Sequence, residues 1–337
     1  MFTLLHTQAK YLKLSRSNLT LALSAFALVG LYLGNATWLV SSAPAERLLL
    51  AHRGLHQTYD PVGVKKMDCT AIIIHPPTHD FQENTLASIK AAFELGADIV
   101  EIDIHPTTDD EFIVFHDWTL DCRTNGDGIV RKKNTAYLKS LDIGYGYTAD
   151  GGKTYPFRGK FVGAMPTLGE VLRAFPEEQL LINVKGGNAG EATLLTRYLQ
   201  SHKYQNRKRL SVYGSGDIIP KYAELNPDIV TLHRKTAVTC LIKYLLLGWS
   251  GYVPQECHNS YVPVPKNYQW LIWGWPNRFE NRLRKVGSKP ILMGDYKKGN
   301  GNGSIDDIDS ISEKFGGIVW TNRIDIIGRK SIDDLPQ

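Results

Sequence analysis

The stretch from Asp98 to Asp117, DIVEIDIHPTTDDEFIVFHD, constrains the fold of this chain more than any other. Two runs rich in isoleucine, valine and phenylalanine flank a polar turn, a pattern typical of two β-strands. Because alternate residues of a strand share a face, Glu101 and Asp103 point the same way, and carboxylates in so apolar a strand require a counter-ion. The second run ends at His116, whose imidazole lies near the same strand ends if the two strands are neighbours. The stretch therefore indicates a metal ion and an acid–base group at one edge of a sheet.

Strand patterns alternate with helical patterns along the chain, which predicts an α/β fold, a (β/α)8 TIM barrel preceded by an N-terminal transmembrane helix. A doubly wound open sheet is the main alternative. The barrel is favoured because ionisable residues fall at the C-terminal ends of the predicted strands, where barrel enzymes carry their catalytic groups. The eight predicted strands are marked by His52, Glu101, His116 and Lys185 and by the sequences RLSVYG, DIVTLH, WLIWGW and GIVWTN, and PILMGDY could form an additional strand.

An uncharged apolar stretch extends from Leu19 to Val40. As a helix it is long enough to cross a hydrocarbon core of about 30 Å, which predicts a membrane anchor. Lys10, Lys13 and Arg16 precede the stretch, and positive residues before a span favour an N-terminus in the cytoplasm. The remainder of the chain is then expected in the periplasm or the extracellular space.

This topology predicts three parts of the chain: a cytoplasmic segment at residues 1–18, a transmembrane anchor at 19–40 and a barrel domain at 46–330. A cleaved signal peptide is the alternative to the anchor, since Ala43-Pro44-Ala45 offers small residues where a peptidase could act. The apolar stretch is long for a signal peptide, so we expect a single-pass membrane protein.

The charged residues do not indicate a nucleic-acid-binding protein. The chain has 39 Lys and Arg residues against 34 Asp and Glu residues, a net charge of +5, and its basic residues are spread along the sequence. Nucleic-acid-binding surfaces usually show clustered basic residues. No nucleic acid is therefore expected among the partners.

The four cysteines, Cys69, Cys122, Cys240 and Cys257, are compatible with an oxidising compartment. Their spacing does not match a zinc site. Proximity in sequence favours pairing Cys69 with Cys122 and Cys240 with Cys257, although four cysteines allow three connectivities and buried free thiols are an alternative.

Short motifs follow one another in a fixed order along the predicted barrel. They are His52-Arg53-Gly54, Glu83-Asn84-Thr85, Glu101-x-Asp103, His116-Asp117, TNGDG at 124–128, Pro166-Thr167-Leu168, Val184-Lys185 and TNR at 321–323. Their order and spacing resemble those of the glycerophosphodiester phosphodiesterase family, and the likeness covers most of residues 48–328.

The resemblance implies a barrel enzyme that cleaves phosphodiesters with one divalent cation, Ca²⁺ or Mg²⁺, and two histidines. Carried over residue by residue, the general acid–base pair would be His52 and His116, the metal ligands Glu101, Asp103 and Asn183, and the phosphate or substrate contacts Arg53, Lys185 and Glu83. Asn84 would be a structural or phosphate-orienting residue, with a helix cap as the alternative.

The implied reaction is chemically reasonable for these residue types. A hard, oxygen-ligated cation polarises a phosphoryl oxygen, and histidines can take up and return a proton near neutral pH. Attack by water or by the neighbouring glycerol hydroxyl would release glycerol 3-phosphate and an alcohol from a glycerophosphodiester. The expected substrate partner is a small phosphodiester or a lysophospholipid, the latter keeping its acyl chain on the phosphate product. The guanidinium of Arg53 offers a planar fork that suits phosphate.

Two positions depart from the family pattern. Many members have a glutamate as third metal ligand where this chain has Asn183, and an aspartate is common where it has Asn322. The amide of Asn183 still offers a carbonyl oxygen, but one negative charge is lost. Lower cation affinity is therefore expected.

Two other functions fit parts of the sequence. The pairs His52/His56 and His75/His79 could suggest a zinc amidohydrolase-type barrel. With Asn183 as a lesion, the domain could also be a membrane-tethered, non-catalytic phosphodiester-binding module. Cation-dependent turnover separates this module from an enzyme.

Trp275 ends the predicted strand WLIWGW. A tryptophan at a strand C-terminus could contact the alcohol or a choline-like head group, the latter through a cation–π contact. Packing in the core is the alternative.

Overall fold

Eight parallel strands form a nearly closed barrel in the computed structural model, which describes residues 16–40, 47–65, 68–201, 206–297 and 301–335. The central strands are near-continuous apolar runs, as expected for parallel strands that are covered on both faces. In chain order the strands are β1 (Leu48–His52), β2 (Ile99–Pro106), β3 (Phe112–Val114), β4 (Gln179–Val184), β5 (Leu210–Gly214), β6 (Val230–His233), β7 (Tyr261–Pro265), β8 (Lys289–Met293), β9 (Tyr296–Lys297), β10 (Gly301–Asn302) and β11 (Ile318–Thr321).

The parallel strands pair in the order β6-β5-β4-β2-β1-β11-β8-β7. The two ends of this order meet at a bridge between Thr231 and Ser260, where the Ser260 hydroxyl donates to the Thr231 carbonyl oxygen at 2.8 Å. The predicted α/β barrel is confirmed. Strands β9 and β10 form a separate antiparallel pair.

Helices cover the outside of the barrel. Ile89 and Leu195 from two of these helices pack in one buried cluster with Ile102 and Ile182 from the strands. The helices are α1 (Arg16–Asn35), α2 (Leu86–Glu94), α3 (Thr135–Lys139), α4 (Leu168–Ala174), α5 (Ala189–Ser201), α6 (Ile218–Leu225), α7 (Arg234–Leu247), α8 (Asn277–Arg284) and α9 (Ile324–Ile327).

The prediction that the run ending at His116 is a barrel strand is wrong. This run forms β3, which pairs antiparallel with β2, with Val114 opposite Ile104. The turn between the two strands, residues 107–111, is too short for the crossover that parallel strands require, so the two runs form a hairpin. The hairpin still returns this run to Asp103, whose carbonyl oxygen accepts from the Phe115 N–H at 2.9 Å, one residue before His116.

The prediction that WLIWGW forms a barrel strand is also wrong. A 3₁₀ helix, Lys266–Leu271, occupies its first part, and Trp270 is 76% exposed. The barrel uses β7 and β8 instead. Strand β7 contains Pro263 and Pro265. It takes its register pairs from β8 and meets β6 through a single bridge, an edge-like position where a missing N–H donor is tolerated.

Helix α1 is the described helix that is long and apolar enough to cross a membrane, with a candidate span at Asn18–Asn35 that is exposed along its length. Residues 1–15 and 41–46 lie outside the described residues. Most of the predicted cytoplasmic segment and the alternative peptidase site at Ala43-Pro44-Ala45 fall on them.

Both predicted disulfides are present. Cys69 and Cys122 are joined with their Cα atoms 5.5 Å apart, and Cys240 and Cys257 with theirs 5.0 Å apart. The first bond closes a long loop over the C-terminal end of the barrel, and the second ties α7 to the segment before β7.

Candidate active site

The predicted site residues gather at the C-terminal ends of neighbouring strands, the edge at which barrel enzymes carry their chemistry. Strands β5, β4, β2, β1 and β11 lie side by side. Their register sets His52 opposite Glu101, and Asp103 opposite Asn183. The same side chains that are far apart in sequence are therefore adjacent in the barrel.

Asp103 is fully buried and is surrounded by donors. The amide of Asn183 donates to its Oδ1 at 2.7 Å, and the amide of Asn84 donates to its Oδ2 at 3.0 Å. The Nζ atom of Lys185 lies 3.1 Å from Oδ1. Burial by itself would raise the pKa of Asp103, but Lys185 and His116 hold it well below its ordinary value. Asp103 therefore remains a carboxylate.

Glu101 is also fully buried, yet its environment differs. The Tyr213 hydroxyl donates to its Oε1 at 2.6 Å, and the backbone N–H of Arg53 donates to its Oε2 at 3.1 Å. Burial and the nearby charge of Asp103 raise the pKa of Glu101 to about 8. The two carboxyl groups on one strand face thus carry opposite pKa shifts, an arrangement common at functional sites.

Arg53 follows β1 with a backbone φ of +62°, a left-handed conformation that is strained for arginine. The next residue, Gly54, also has a positive φ, and a Cβ atom there would lie 2.8 Å from the Ser88 backbone. The turn aims the Arg53 guanidinium between two carboxylates, 3.2 Å from Glu83 Oε1 and 3.4 Å from Asp103 Oδ2. Burial by itself would lower the pKa of Arg53, but these two carboxylates raise it by more. The net pKa is therefore raised, and Arg53 stays charged.

His52 is held through Nδ1, which lies 2.7 Å from Asn322 Oδ1. An amide oxygen accepts, so Nδ1 carries the proton and Nε2 keeps its lone pair. This Nε2 is 3.9 Å from Glu101 Oε2, and the ring lies 4.8 Å from that of Trp320. Burial and the charge of Arg53 lower the pKa of His52 well below its ordinary value. His52 is therefore neutral at neutral pH.

His116 has a carboxylate partner. Its Nδ1 lies 2.6 Å from Asp117 Oδ1. Burial and the charges of Arg53 and Lys185 lower the pKa of His116 to about 4, although Asp103 and Asp117 raise it. The two histidines thus have partners of different charge.

Arg123 completes the site and was missed from the sequence. It is 3% exposed, its Nε donates to Asp117 Oδ2 at 2.8 Å, and its Nη1 lies 3.1 Å from Glu83 Oε2. Its position directly before the TNGDG motif, in a loop that follows His116, was the signal available in the sequence. Its charge and that of Arg53 hold the pKa of Glu83 below its ordinary value, although burial alone would raise it.

Trp275 is not brought to this site. Its ring lies 5.1 Å from that of Phe315 and 5.9 Å from that of Phe279, in the core beside α8. The expectation of a head-group contact rested on a strand that does not form. Trp320 of β11 lies against His52 instead, with the two ring centroids 4.8 Å apart.

The helix-cap alternative for Asn84 is wrong, because Thr85 is the residue that caps α2, with Ser88 as its capping-box partner. Asn84 has a φ of +60° and its Oδ1 also accepts from the backbone N–H of Asp103 at 3.0 Å. Asn84 therefore fixes the position of Asp103 through two hydrogen bonds.

The histidines of the zinc alternative do not assemble into a ligand set. Nδ1 of His56 bonds the Gln57 carbonyl oxygen at 2.8 Å, and the Gln57 amide donates to the His79 carbonyl oxygen at 2.8 Å. His75 is exposed beside Thr58. Among the described residues, the structure contains no cluster of three or more His, Cys, Asp or Glu side chains that could hold a metal ion.

Comparison with known proteins identifies related sequences and folds. A model of the glycerophosphoryl diester phosphodiesterase family matches residues 52–246. A glycerophosphodiester phosphodiesterase of Caldanaerobacter subterraneus subsp. tengcongensis is 36% identical over 118 residues, which are 34% of this chain and 44% of that protein. Lysophospholipase D GDPD1 of Rattus norvegicus is 27% identical over 212 residues, which are 57% of this chain and 64% of that protein. The chain thus spans less than two thirds of the length of these relatives.

Solved structures share the fold. The glycerophosphoryl diester phosphodiesterase domain of a Mycobacterium tuberculosis protein superposes with a TM-score of 0.55 at 18% identity, covering 82% of this chain and 96% of that domain. At this identity the likeness concerns the barrel itself.

Proposed function

Because the chain belongs to the glycerophosphoryl diester phosphodiesterase family, we propose that it hydrolyses glycerophosphodiesters to glycerol 3-phosphate and an alcohol. The observation that carries this proposal is the pair His52 and His116, each anchored through Nδ1 beside the buried carboxyl groups of Glu101 and Asp103. A phosphodiester cleavage needs one group that takes a proton and one that returns it.

The phosphate would bind to Arg53 and Lys185. Both cations lie against Asp103 and are largely shielded from solvent, since their side chains are 11% and 14% exposed. In so dry a site each hydrogen bond to a phosphate oxygen is stronger than in water. The planar guanidinium of Arg53 can offer two donors to the same phosphate.

The partners of the two histidines support different roles. The neutral amide of Asn322 holds His52 with its Nε2 lone pair free, which suits a base that removes the proton of the attacking hydroxyl. The carboxylate of Asp117 stabilises a protonated His116, which suits an acid that protonates the leaving alcohol oxygen. The negative charge of a bound phosphodiester would raise the pKa of His116 from about 4.

The donor atoms fit a divalent cation such as Ca²⁺ or Mg²⁺. Glu101, Asp103 and Asn183 carry hard oxygen donors. The Asn183 amide, whose nitrogen faces Asp103, would have to turn to offer its oxygen to the cation. The raised pKa of Glu101 reflects burial and the charge of Asp103, an unfavourable pairing that a cation would relieve. When bound, the cation would supply Lewis-acid polarisation of the phosphoryl group.

The substrate class follows the names of the relatives, which include a glycerophosphodiester phosphodiesterase and a lysophospholipase D. We extend the proposal to both small glycerophosphodiesters and lysophospholipids. The proposed location is a single-pass membrane protein with the barrel on the periplasmic or extracellular side. The exposed apolar α1 and the two disulfides support it, since disulfides persist in oxidising compartments.

The test uses the full chain in detergent and measures release of glycerol 3-phosphate from glycerophosphocholine and glycerophosphoethanolamine, and release of lysophosphatidic acid and choline from lysophosphatidylcholine. Ca²⁺, Mg²⁺, Zn²⁺ and EDTA are compared. Release that requires Ca²⁺ or Mg²⁺ and disappears in His52→Ala and His116→Ala, but not in the exposed control His75→Ala, supports the proposal. A folded protein that binds these compounds without turnover would instead be the non-catalytic module.

A further inference from the structure

The outward face of α7 is apolar although it is exposed. Val238, Ile242 and Leu246 recur four residues apart and are 49%, 53% and 68% exposed. Trp249, just beyond the helix, is 50% exposed. The outer face of a barrel helix is ordinarily polar, so a stripe of exposed apolar residues at helical spacing indicates a surface that is covered. These four residues define the α7 face. Lys243 lies beside the stripe and pairs with Glu256.

The α7 face ends where α1 meets the barrel. The Asn35 amide at the end of α1 donates to the Trp249 carbonyl oxygen at 2.9 Å. Arg282 of α8 donates to Asn35 Oδ1 at 3.1 Å and to the Gly248 carbonyl oxygen at 2.9 Å. The C-terminal end of the candidate membrane helix is thus fixed against the end of the α7 face.

Exposed aromatic residues surround this junction. Trp38 lies three residues beyond α1 and is 58% exposed, and Tyr252 is 55% exposed. Tryptophan and tyrosine are enriched where a membrane protein passes from hydrocarbon to water. The basic residues Arg234 and Lys235 begin α7 and are exposed, so they can reach lipid phosphates while the apolar residues enter the bilayer.

We propose that the α7 face lies on the lipid bilayer that α1 spans, so that the barrel rests on the membrane by this side. The inference rests on the proposed membrane anchor. The occupant is the bilayer, because the chain itself delivers a membrane helix to the end of the face. The barrel is then held in one orientation instead of rotating on its tether.

Quenching by brominated lipids tests this contact in the full chain reconstituted into phosphatidylcholine vesicles. The fluorescence of Trp249, identified as the part that Trp249→Phe removes, is expected to be quenched by lipids brominated near the head group. The variant Leu246→Asp is expected to reduce this quenching at least twofold. The matched variant Trp270→Phe, which removes a more exposed tryptophan outside the face, leaves the absolute loss of fluorescence on quenching unchanged.

Each failure has its own signature. Loss of the chain from the vesicles in an alkaline wash overturns the anchor and the inference with it. Retention of the chain with no quenching of Trp249 overturns the inference alone. A dimer in detergent that Leu246→Asp converts to a monomer assigns the face to a second copy and also overturns it.

A different observation concerns Arg123, whose Nε donates to Asp117, the partner of His116. Arg123 follows Cys122, and Thr70 follows Cys69. Arg123 Nη2 donates to Thr70 Oγ1 at 2.8 Å. The disulfide therefore joins the two backbone segments that carry this hydrogen bond, directly beside it.

We infer that the Cys69–Cys122 disulfide holds Arg123 in place and that Arg123 is a positioning residue for His116, acting through Asp117. This inference rests on the proposed phosphodiesterase reaction. Without the bond, the loop that carries Arg123 gains freedom, and the Asp117 carboxylate loses the partner that fixes its direction. His116 would then protonate the leaving alcohol less effectively.

The chain provides its own control, since it has a second disulfide away from the site. Removing Cys69–Cys122 by C69S/C122S lowers kcat for glycerophosphocholine at least 10-fold with little change in KM, and Arg123→Gln does the same. The decrease in kcat is smaller with the p-nitrophenyl ester of glycerol 3-phosphate, whose leaving group needs no proton. The variant C240S/C257S keeps kcat.

Equal losses on both substrates would show a general structural defect and overturn the inference, as would an unchanged kcat in C69S/C122S. If C69S/C122S fails to fold, brief reduction of C240S/C257S by dithiothreitol breaks Cys69–Cys122 alone and gives the same comparison, with circular dichroism as a check of the fold. An inactive wild type removes the proposed function and this inference together.

Discussion

Asn183 donates its side-chain amide to Asp103, with Nδ2 and Oδ1 2.7 Å apart. Lys185 contacts the same oxygen. The strand register sets Asn183 opposite Asp103, so residue 183 lies against a proposed cation ligand although it carries no charge. A carboxylate at this position would face Asp103 directly.

Asn183→Glu is expected to tighten cation binding by about 10-fold, because a third carboxylate adds a charged oxygen ligand. In EDTA the same variant should melt at a lower temperature than the wild type, since the new charge lies beside Asp103. The half-saturating Ca²⁺ or Mg²⁺ concentration for turnover and the Tm with and without cation measure both effects. Unchanged cation affinity would exclude residue 183 from the ligand set.

Glu101→Gln is expected to change how stability depends on pH in EDTA. The folded protein holds the Glu101 proton up to a pKa of about 8, against an ordinary value of 4.5, so it binds more protons than the unfolded chain between these values. Wild-type stability relative to the variant therefore falls as pH rises from about 4.5 to 8, by at most about 1.4 kcal/mol per pH unit.

Thermal melting of both proteins at several pH values checks this slope. Saturating Ca²⁺ should abolish it, because the cation displaces the proton from Glu101. A difference in Tm that does not change with pH would mean that Glu101 is ionised throughout.

His116→Ala and His52→Ala are expected to differ in their response to the leaving group. Each should lower kcat for glycerophosphocholine by about 10²–10⁴-fold, the usual contribution of a general acid or base. In the p-nitrophenyl ester of glycerol 3-phosphate, the leaving group is p-nitrophenolate, which departs without a proton. This substrate should therefore restore much of the activity of His116→Ala and little of that of His52→Ala. The opposite pattern would exchange the two roles.

Asn322→Asp is expected to move the acid limb of the kcat/KM profile to higher pH. A carboxylate beside Nδ1 stabilises the protonated ring and raises the pKa of His52, which burial now keeps well below its ordinary value. Because a base acts only when neutral, activity then begins at a higher pH. Initial rates between about pH 5 and 9 check this shift, and an unmoved limb would argue against His52 as the base.

Local patterns were sufficient to predict much of the site. Alternation along β2 predicts that Glu101 and Asp103 share a face, and that property does not depend on the rest of the fold. The positions of His52, Arg53 and Lys185 at strand ends follow equally from short apolar runs that stop at a polar residue. The structure brings these residues together as expected.

Non-local pairing explains the predictions that failed. The run before His116 has strand character, but its direction depends on the short turn that returns it to β2. The tryptophan-rich run around Trp275 is apolar enough for a strand, yet β7 and β8 take the two places in the barrel. Apolar composition does not reveal which of several runs completes a sheet.

The barrel class, the carboxylate pair on β2, the order of the motifs and the apolar character of α1 could all be predicted from the residues alone, because each depends on spacing or composition along the chain. Three contacts could not be predicted in this way because they depend on how the chain folds. Arg123 joins Asp117 to Glu83, Asn322 holds His52, and the end of α1 meets Trp249 just beyond α7. Asn322 and His52 are 270 positions apart, and packing alone brings such side chains within hydrogen-bonding distance.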